Sequence, residues 1–177
     1  MNEVQPPPPP TRRPLFIVCG NAGVGKTTFG QRLAAQEQAC LLDIDTVSER
    51  LVQAGLKAAG MDINDRDSPT YKQLYRAAIH DTLFDVADQN LEHCACVIVA
   101  PFTQERRQPT FLEQCVARVT TSVHVYYLVC SEELRKQRIE NRNNPRDRNK
   151  LRDWDQYSRV GYDAEPPPFT HQLICTD

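Results

Sequence analysis

Apolar residues along the chain alternate between two kinds of segment. Short runs rich in β-branched residues and cysteine, typical of buried strands, occupy residues 15–19, 40–44, 95–100, 123–129 and 171–175. Longer segments with apolar residues at helical spacing lie at 26–37, 46–59, 69–92, 109–117, 131–142 and 153–160. This alternation predicts an α/β fold in three layers, with a five-stranded parallel sheet and helices on both faces.

The amino-terminal segment MNEVQPPPPPTRR differs from the rest of the chain. Its proline run cannot donate backbone hydrogen bonds, and the segment has little apolar surface to bury. We therefore expect residues 1–13 to form a disordered Pro-rich tail. Residues 14–177 have the length of a single domain.

Composition and charge exclude several classes of function. The formal net charge is −2, and basic residues are mixed with acidic ones outside one segment near 135–152, which predicts no nucleic-acid partner. The longest apolar run, ACVIVA, is far shorter than the ~20 residues of a membrane helix. The seven cysteines lie mostly in apolar runs, which is typical of reduced thiols in a cytoplasmic protein. The HCAC stretch at 93–96 lacks a second ligand pair at zinc spacing.

The stretch GNAGVGKTT at 20–28 carries the most specific signal in the chain. It matches GxxxxGK[ST] and lies between an apolar run and an amphipathic segment, the strand, loop and helix order of a phosphate-binding loop. In such a loop Lys26 would bridge the outer phosphates of a nucleoside triphosphate, and the Thr27 hydroxyl would bind Mg²⁺. The predicted nucleotide-binding residues of this loop are Gly20, Asn21, Ala22, Gly23, Val24, Gly25, Lys26, Thr27 and Thr28.

Two aspartates follow the second predicted strand, in LLDIDTVSERL at 41–51. Strand alternation would direct Asp43 and Asp45 to one side, near the carboxyl end where open α/β sheets bind ligands. We predict that Asp43 joins Thr27 at the Mg²⁺ site and that Asp45 accepts the proton of an acceptor hydroxyl. The alternative is that Asp45 or Thr46 only caps the following helix.

The third predicted strand ends in VIVAPFTQERR. Ala100 and Pro101 occupy the position where P-loop hydrolases place a Walker B aspartate, which argues against a switch or motor ATPase. We predict that Thr103, Arg106 and Arg107 bind an anionic or polar acceptor. Exposed arginines are otherwise common as solvated surface.

The segment SEELRKQRIENRNNPRDRNKLRDWD at 131–155 concentrates positive charge. Its first part has arginines on one helix face, and the Asn- and Pro-rich part at about 143–152 predicts a small mobile lid that closes over the triphosphate. Guanidinium groups delivered in this way neutralise charge on the transferring phosphoryl group. The alternative is a solvated charged helix. The arginines predicted to act on the nucleotide are Arg138, Arg142, Arg146 and Arg148.

Together these segments resemble the small P-loop kinases of the nucleoside-monophosphate-kinase-like group. Within it the chain is similar to AAA-type ATP-binding kinases, which include proteins like polynucleotide kinase, zeta toxin and chloramphenicol phosphotransferase. The resemblance spans residues 15–177 and implies the strand order 2-3-1-4-5, ATP with Mg²⁺, and an acid after the second strand, here Asp45. Some relatives place an arginine three residues beyond that acid, where this chain has Ser48.

The sequence thus predicts an ATP-dependent kinase that transfers the γ-phosphoryl group to a hydroxyl of a small-molecule acceptor. The predicted catalytic residues are Lys26, Asp45, Arg138 and Arg142. Two alternatives stay open. A regulatory switch NTPase would act through a protein partner, although the chain has no guanine-reading NKxD motif. A polynucleotide 5′-hydroxyl kinase would need a basic channel beyond the lid.

Overall fold

The computed structural model describes residues 12–66, 68–161 and 166–177, without the side chains of 159–161. Most of the predicted disordered tail therefore lies outside the described residues. Its last two residues contact the domain: Arg12 donates to Asp88 Oδ1 at 2.7 Å, and the Arg13 amide donates to the Leu91 carbonyl at 2.7 Å. Arg12 and Arg13 thus contact the domain, although they precede the predicted boundary at residue 14.

The sheet has five parallel strands in the order β2-β3-β1-β4-β5, which confirms the predicted topology. Leu15 in the central strand lies opposite Cys96 on one side and Val123 on the other. The strands are β1 (Leu15–Gly20), β2 (Cys40–Asp43), β3 (Cys96–Val99), β4 (Val123–Val129) and β5 (Gln172–Cys175).

Every connection between successive strands contains at least one helix, as the crossovers of a parallel sheet require. Two 3₁₀ turns, Glu105–Arg107 and Pro145–Asp147, lie in the connections after β3 and before α7. No helix in the described parts of the chain is long and apolar enough to cross a membrane. The α-helices are α1 (Lys26–Gln36), α2 (Ile44–Ala58), α3 (Pro69–Tyr71), α4 (Ala77–Asn90), α5 (Phe111–Val119), α6 (Glu132–Arg142), α7 (Arg148–Arg152) and α8 (Trp154–Gly161).

The central strand β1 is buried on both faces because its side chains alternate between two apolar clusters. Leu15, Ile17 and Cys19 pack in a cluster with residues of α2, α4 and α5. Phe16 and Val18 pack on the opposite face, in a cluster with residues of α1. The two clusters are the two interfaces of the predicted three-layer sandwich.

The prediction was wrong at the end of β2, and the difference affects the site. The strand ends at Asp43 and α2 starts at Ile44, so Asp45 lies in the first helical turn and not on the strand. The Asp45 amide donates to Asp43 Oδ1 at 2.9 Å, which makes Asp43 the N-cap in place of Asp45 or Thr46. A helix turn, and not strand alternation, brings the two carboxylates to the same edge of the sheet.

The predicted helix 69–92 is divided by a π-helical segment, Lys72–Arg76, between α3 and α4. Its start agrees with the sequence pattern: Ser68 Oγ accepts from the Tyr71 amide at 3.0 Å, and Pro69 is the first helical residue. A π segment rotates the side chains that precede it relative to those that follow, and such segments are frequent at functional sites. Lys72 and Arg76 both line the cleft described next.

Candidate active site

A cleft of about 1120 Å³ lies beside the carboxyl ends of the strands, where open α/β sheets bind ligands. The phosphate-binding loop forms its floor, and α2, the π segment and the loop after β3 form one wall. Residues of α6, of the segment after it and of the chain after β5 form the other wall. Most of the predicted site residues meet here; Gly20, Val24, Arg106 and Arg148 do not line the cleft.

The loop between β1 and α1 has the geometry needed to surround phosphate groups. Gly23 and Gly25 have φ angles of 84° and 85°, which favour glycine, and a Cβ at Gly23 would lie 2.7 Å from the Arg135 carbonyl oxygen. Gly25 is the N-cap of α1 and no side chain caps that helix. The amide groups of its first turn are therefore available to an anion, and the helix dipole favours negative charge there.

Lys26 extends back across this loop. Its Nζ donates to the Asn21 carbonyl oxygen at 2.7 Å. Burial lowers the pKa of Lys26 to about 8, and the Asp45 carboxylate partly offsets this effect. An ammonium group held in such a poorly solvated position gains more from a triphosphate than a solvated lysine would.

Thr27 and Asp43 form a pair suited to Mg²⁺. Thr27 Oγ1 donates to Asp43 Oδ2 at 2.8 Å, and Asp43 is only 5% exposed. Mg²⁺ prefers hydroxyl and carboxylate oxygens and usually keeps water and substrate phosphates as its other ligands. The donor set therefore fits the ion, which Thr27 and Asp43 would hold beside the phosphate loop.

Asp45 is bound by an arginine of the predicted lid. Arg146 Nη1 lies 2.9 Å from Asp45 Oδ1 and 2.8 Å from Glu49 Oε2, and Arg146 Nη2 lies 3.1 Å from Asp45 Oδ2. Although burial opposes it, the Arg146 guanidinium lowers the pKa of Asp45. Glu49 was missed by the sequence analysis, although its position one helical turn after Asp45 is a signal that could have found it.

The segment predicted as a mobile lid has regular structure and is anchored to the domain. It contains the 3₁₀ turn Pro145–Asp147 and α7. Arg142 Nη2 donates to Asp147 Oδ1 at 2.7 Å, and Lys150 Nζ to the same oxygen at 3.0 Å. Asp147 is a buried carboxylate that the sequence analysis missed, and Arg148 is exposed and lies outside the cleft.

Arg138 joins the nucleotide loop to the end of the sheet. It donates to the Thr176 carbonyl oxygen at 2.6 Å and to Thr176 Oγ1 at 2.9 Å. Thr176 Oγ1 in turn donates to the Val24 carbonyl oxygen at 2.9 Å. Sequence reasoning missed Thr176, because no local pattern shows that the chain after β5 returns to the loop after β1.

Arg106 does not lie where the sequence analysis placed it. It is 1% exposed, and its guanidinium donates to Asn21 Oδ1 at 2.7 Å and to the Pro101 carbonyl oxygen at 3.1 Å. Its guanidinium carbon lies 5.3 Å from the Tyr127 ring centre. Arg106 therefore supports the phosphate loop from inside the domain, whereas Thr103 and Arg107 line the cleft.

Replacement of this buried arginine should destabilise the domain. We expect Arg106→Ala to lower the free energy of unfolding by about 3 kcal/mol, because it removes a buried side chain and leaves Asn21 without its donor. Arg107→Ala, at the exposed next position, should change it by less than about 0.5 kcal/mol. Urea unfolding of both variants measures the difference, and equal losses would contradict the buried role of Arg106.

The comparisons with known proteins agree with this geometry. The AAA domain family (AAA_33) matches residues 15–161. No curated protein matches the chain. Among solved structures, a kinase candidate from Chloroflexus aurantiacus J-10-fl has a TM-score of 0.62 at 20% identity, over 94% of this chain and 86% of that chain.

Two further solved structures are kinases with assigned substrates. A gluconokinase from Sinorhizobium meliloti 1021 has a TM-score of 0.52 at 14% identity, over 94% of this chain and 83% of its own. Shikimate kinase from Acinetobacter baumannii, in complex with shikimate, has a TM-score of 0.50 at 20% identity, over 95% of this chain and 86% of its own. Identities this low show a shared fold. The family match over most of the chain shows more: the chain belongs to the AAA domain family AAA_33 and has the fold of the small P-loop kinases.

Proposed function

We propose that the protein is an ATP-dependent kinase that transfers the γ-phosphoryl group to a hydroxyl of a small molecule. One observation carries the proposal: Asp45 lines the same cleft as Lys26 and the Thr27–Asp43 pair. A phosphate site beside a carboxylate that can accept a proton is the arrangement that phosphoryl transfer to an alcohol needs. A protein that only binds nucleotide needs no such carboxylate.

The phosphate loop and α1 hold the donor. ATP supplies the phosphoryl group, and Lys26 with the first-turn amides of α1 binds its phosphates. Thr27 and Asp43 would hold Mg²⁺ beside the loop, and the ion would supply positive charge to offset that of the phosphates. Arg138 and Arg142 line the same cleft and add positive charge on the side of α6.

Asp45 accepts the proton of the acceptor hydroxyl. In the structure Arg146 pairs with the Asp45 carboxylate and lowers the pKa of Asp45. Asp45 is therefore a weak base while this pair is intact. An acceptor that reaches Asp45 takes the place of Arg146, whose guanidinium then turns towards the phosphates. This exchange restores basicity to Asp45 and brings positive charge to the transferring group.

The size of the cleft favours a small acceptor. Ligand pockets of about 300–1,000 Å³ hold single small molecules, so about 1120 Å³ suits a nucleotide together with a metabolite-sized partner. The proteins of similar fold include a gluconokinase and a shikimate kinase, whose names denote small hydroxylated acceptors. These likenesses support the class of acceptor and not its identity.

A metabolite screen tests the proposal. The full chain is incubated with Mg²⁺, ATP and pools of hydroxyl compounds, and mass spectrometry detects any compound that gains one phosphate. We expect at least one phosphorylated compound, formed in a 1:1 ratio with ADP. The Lys26→Ala variant should form no phosphorylated compound. ADP release without any phosphorylated compound, or release stimulated only by another protein, would instead support the switch NTPase.

A further inference from the structure

We infer that the acceptor carries an anionic group, a phosphate or a carboxylate, in addition to its hydroxyl. This inference rests on the proposed function and assigns the substrate class of the same site. The group would bind four residues that line the cleft on the side of α2, the segment after it, the π segment and the loop after β3. We call them the acceptor-side cations: Arg66, Lys72, Arg76 and Arg107.

The first argument is the charge of the cleft compared with that of the whole chain. The chain has a formal net charge of −2, yet ten of its 21 lysines and arginines line this one cleft. Among the residues that the structure describes, four aspartates and glutamates line it, which leaves six side-chain positive charges in excess there. ATP with bound Mg²⁺ carries about two negative charges, so a bound donor leaves the cleft positive. A neutral acceptor would not use this field.

The second argument is the pairing of the acceptor-side cations. Arg66 lies 3.1 Å from Glu49, a carboxylate that Arg146 shares. Arg76 lies 2.8 Å from Glu105, to which His80 also lies close, at 3.3 Å.

Lys72 and Arg107 are both exposed. The Lys72 side chain forms no hydrogen bond or ion pair with any residue in 12–66, 68–158 or 166–177. Lys72 can therefore bind an anion without first breaking an ion pair. Such a cation at the wall of a cleft attracts and orients an incoming anion.

The third argument is the position of this wall relative to the base. Ion pairs run without a break from Arg66 through Glu49 and Arg146 to Asp45. The Arg66 guanidinium carbon lies 5.4 Å from the Tyr71 ring centre, which fixes one face of the arginine. A molecule with its hydroxyl at Asp45 would thus extend towards Arg66, which lines the same cleft.

Three compounds with one carbon skeleton test the inference: glycerol, glycerate and glycerol 3-phosphate. Their binding to the full chain is measured by calorimetry in the presence of Mg²⁺ and a non-hydrolysable ATP analogue, so that the donor half is filled. We expect glycerate or glycerol 3-phosphate to bind at least about tenfold more tightly than glycerol, because only they carry a group that the cations can pair. The stronger of the two ligands distinguishes a carboxylate from a phosphate.

Matched variants separate a specific subsite from general charge attraction. Lys72→Gln and Arg107→Gln should each weaken binding of the anionic compound by about tenfold. Arg32→Gln serves as the control, because Arg32 is also exposed and lines the same cleft, but on α1. We expect it to change the affinity by less than about twofold.

Each outcome bears on the inference separately from the kinase proposal. The inference fails if glycerol binds as well as its anionic relatives, if neither anion binds at about 10 mM, or if Arg32→Gln weakens binding as much as Lys72→Gln. It also fails if a single-stranded oligonucleotide binds while the small anions do not. Anion binding without phosphoryl transfer in the metabolite screen would retain the subsite and overturn the kinase. Phosphoryl transfer to neutral compounds alone would support the kinase and contradict the anionic subsite.

Discussion

Asp45→Asn is expected to bind ATP nearly as well as the parent chain while phosphoryl transfer falls by at least about a hundredfold. A general base is commonly worth about 10² to 10⁴ in rate, and the amide keeps the shape of the carboxylate without its charge. In the proposed site ATP would be held by the phosphate loop, Lys26 and Mg²⁺, so its affinity should change little. Calorimetric titration with ATP and an acceptor-dependent transfer assay measure the two quantities.

The structure makes this prediction specific to catalysis. Asp43 and not Asp45 caps α2, and the Asp45 side chain is 57% exposed, so the substitution should leave the unfolding free energy within about 0.5 kcal/mol. Glu49→Gln is the matched control, because Glu49 pairs with the same Arg146 from the next turn of the helix. We expect much smaller effects on transfer from Glu49→Gln. Undiminished transfer by Asp45→Asn would falsify the assignment of the base.

Lys26→Ala is expected to remove most phosphoryl transfer, by about a hundredfold to a thousandfold. Lys26 supplies the full positive charge of the loop, and the loss of preorganised charge at a developing negative centre commonly costs about 10² to 10³ in rate. ATP affinity should fall as well, because in the proposed site the lysine would contact ATP before and during transfer. Single-turnover transfer and ATP titration of the purified variant measure both effects.

The fold should survive this substitution. Burial lowers the pKa of Lys26 from 10.5 to about 8, so its protonated form costs folding free energy at neutral pH. That cost declines as the pH rises from about 8 towards 10.5, where the unfolded chain also loses the proton. We therefore expect no loss of stability in Lys26→Ala at neutral pH, and Lys57→Ala, on an exposed position of α2, should leave transfer unchanged. If the Lys26→Ala variant is folded and transfers phosphoryl groups as fast as the parent chain, the assignment of the phosphate loop is contradicted.

The sequence by itself determined the layers of the domain and indicated the phosphate-binding loop. Short apolar runs and helical apolar patterns are local properties, and they located all five strands and most of the helices to within a few residues. The phosphate loop could be recognised in the same way, because its glycines, lysine and threonine lie within one contiguous stretch. The Ser68 cap before Pro69 was recognisable for the same reason.

Only the tertiary structure decided which charged residues meet. The charge pattern grouped Arg106 with Arg107, yet one is 1% exposed behind the phosphate loop and the other is exposed in the cleft. Arg146 reaches Asp45 across 101 residues of sequence, and Thr176 lies 152 residues from its acceptor at Val24. The order of strands in the sheet determines such pairs, because it brings the carboxyl ends of distant strands together. Burial of an arginine costs free energy unless hydrogen-bond acceptors surround it, which determines where Arg106 can be buried.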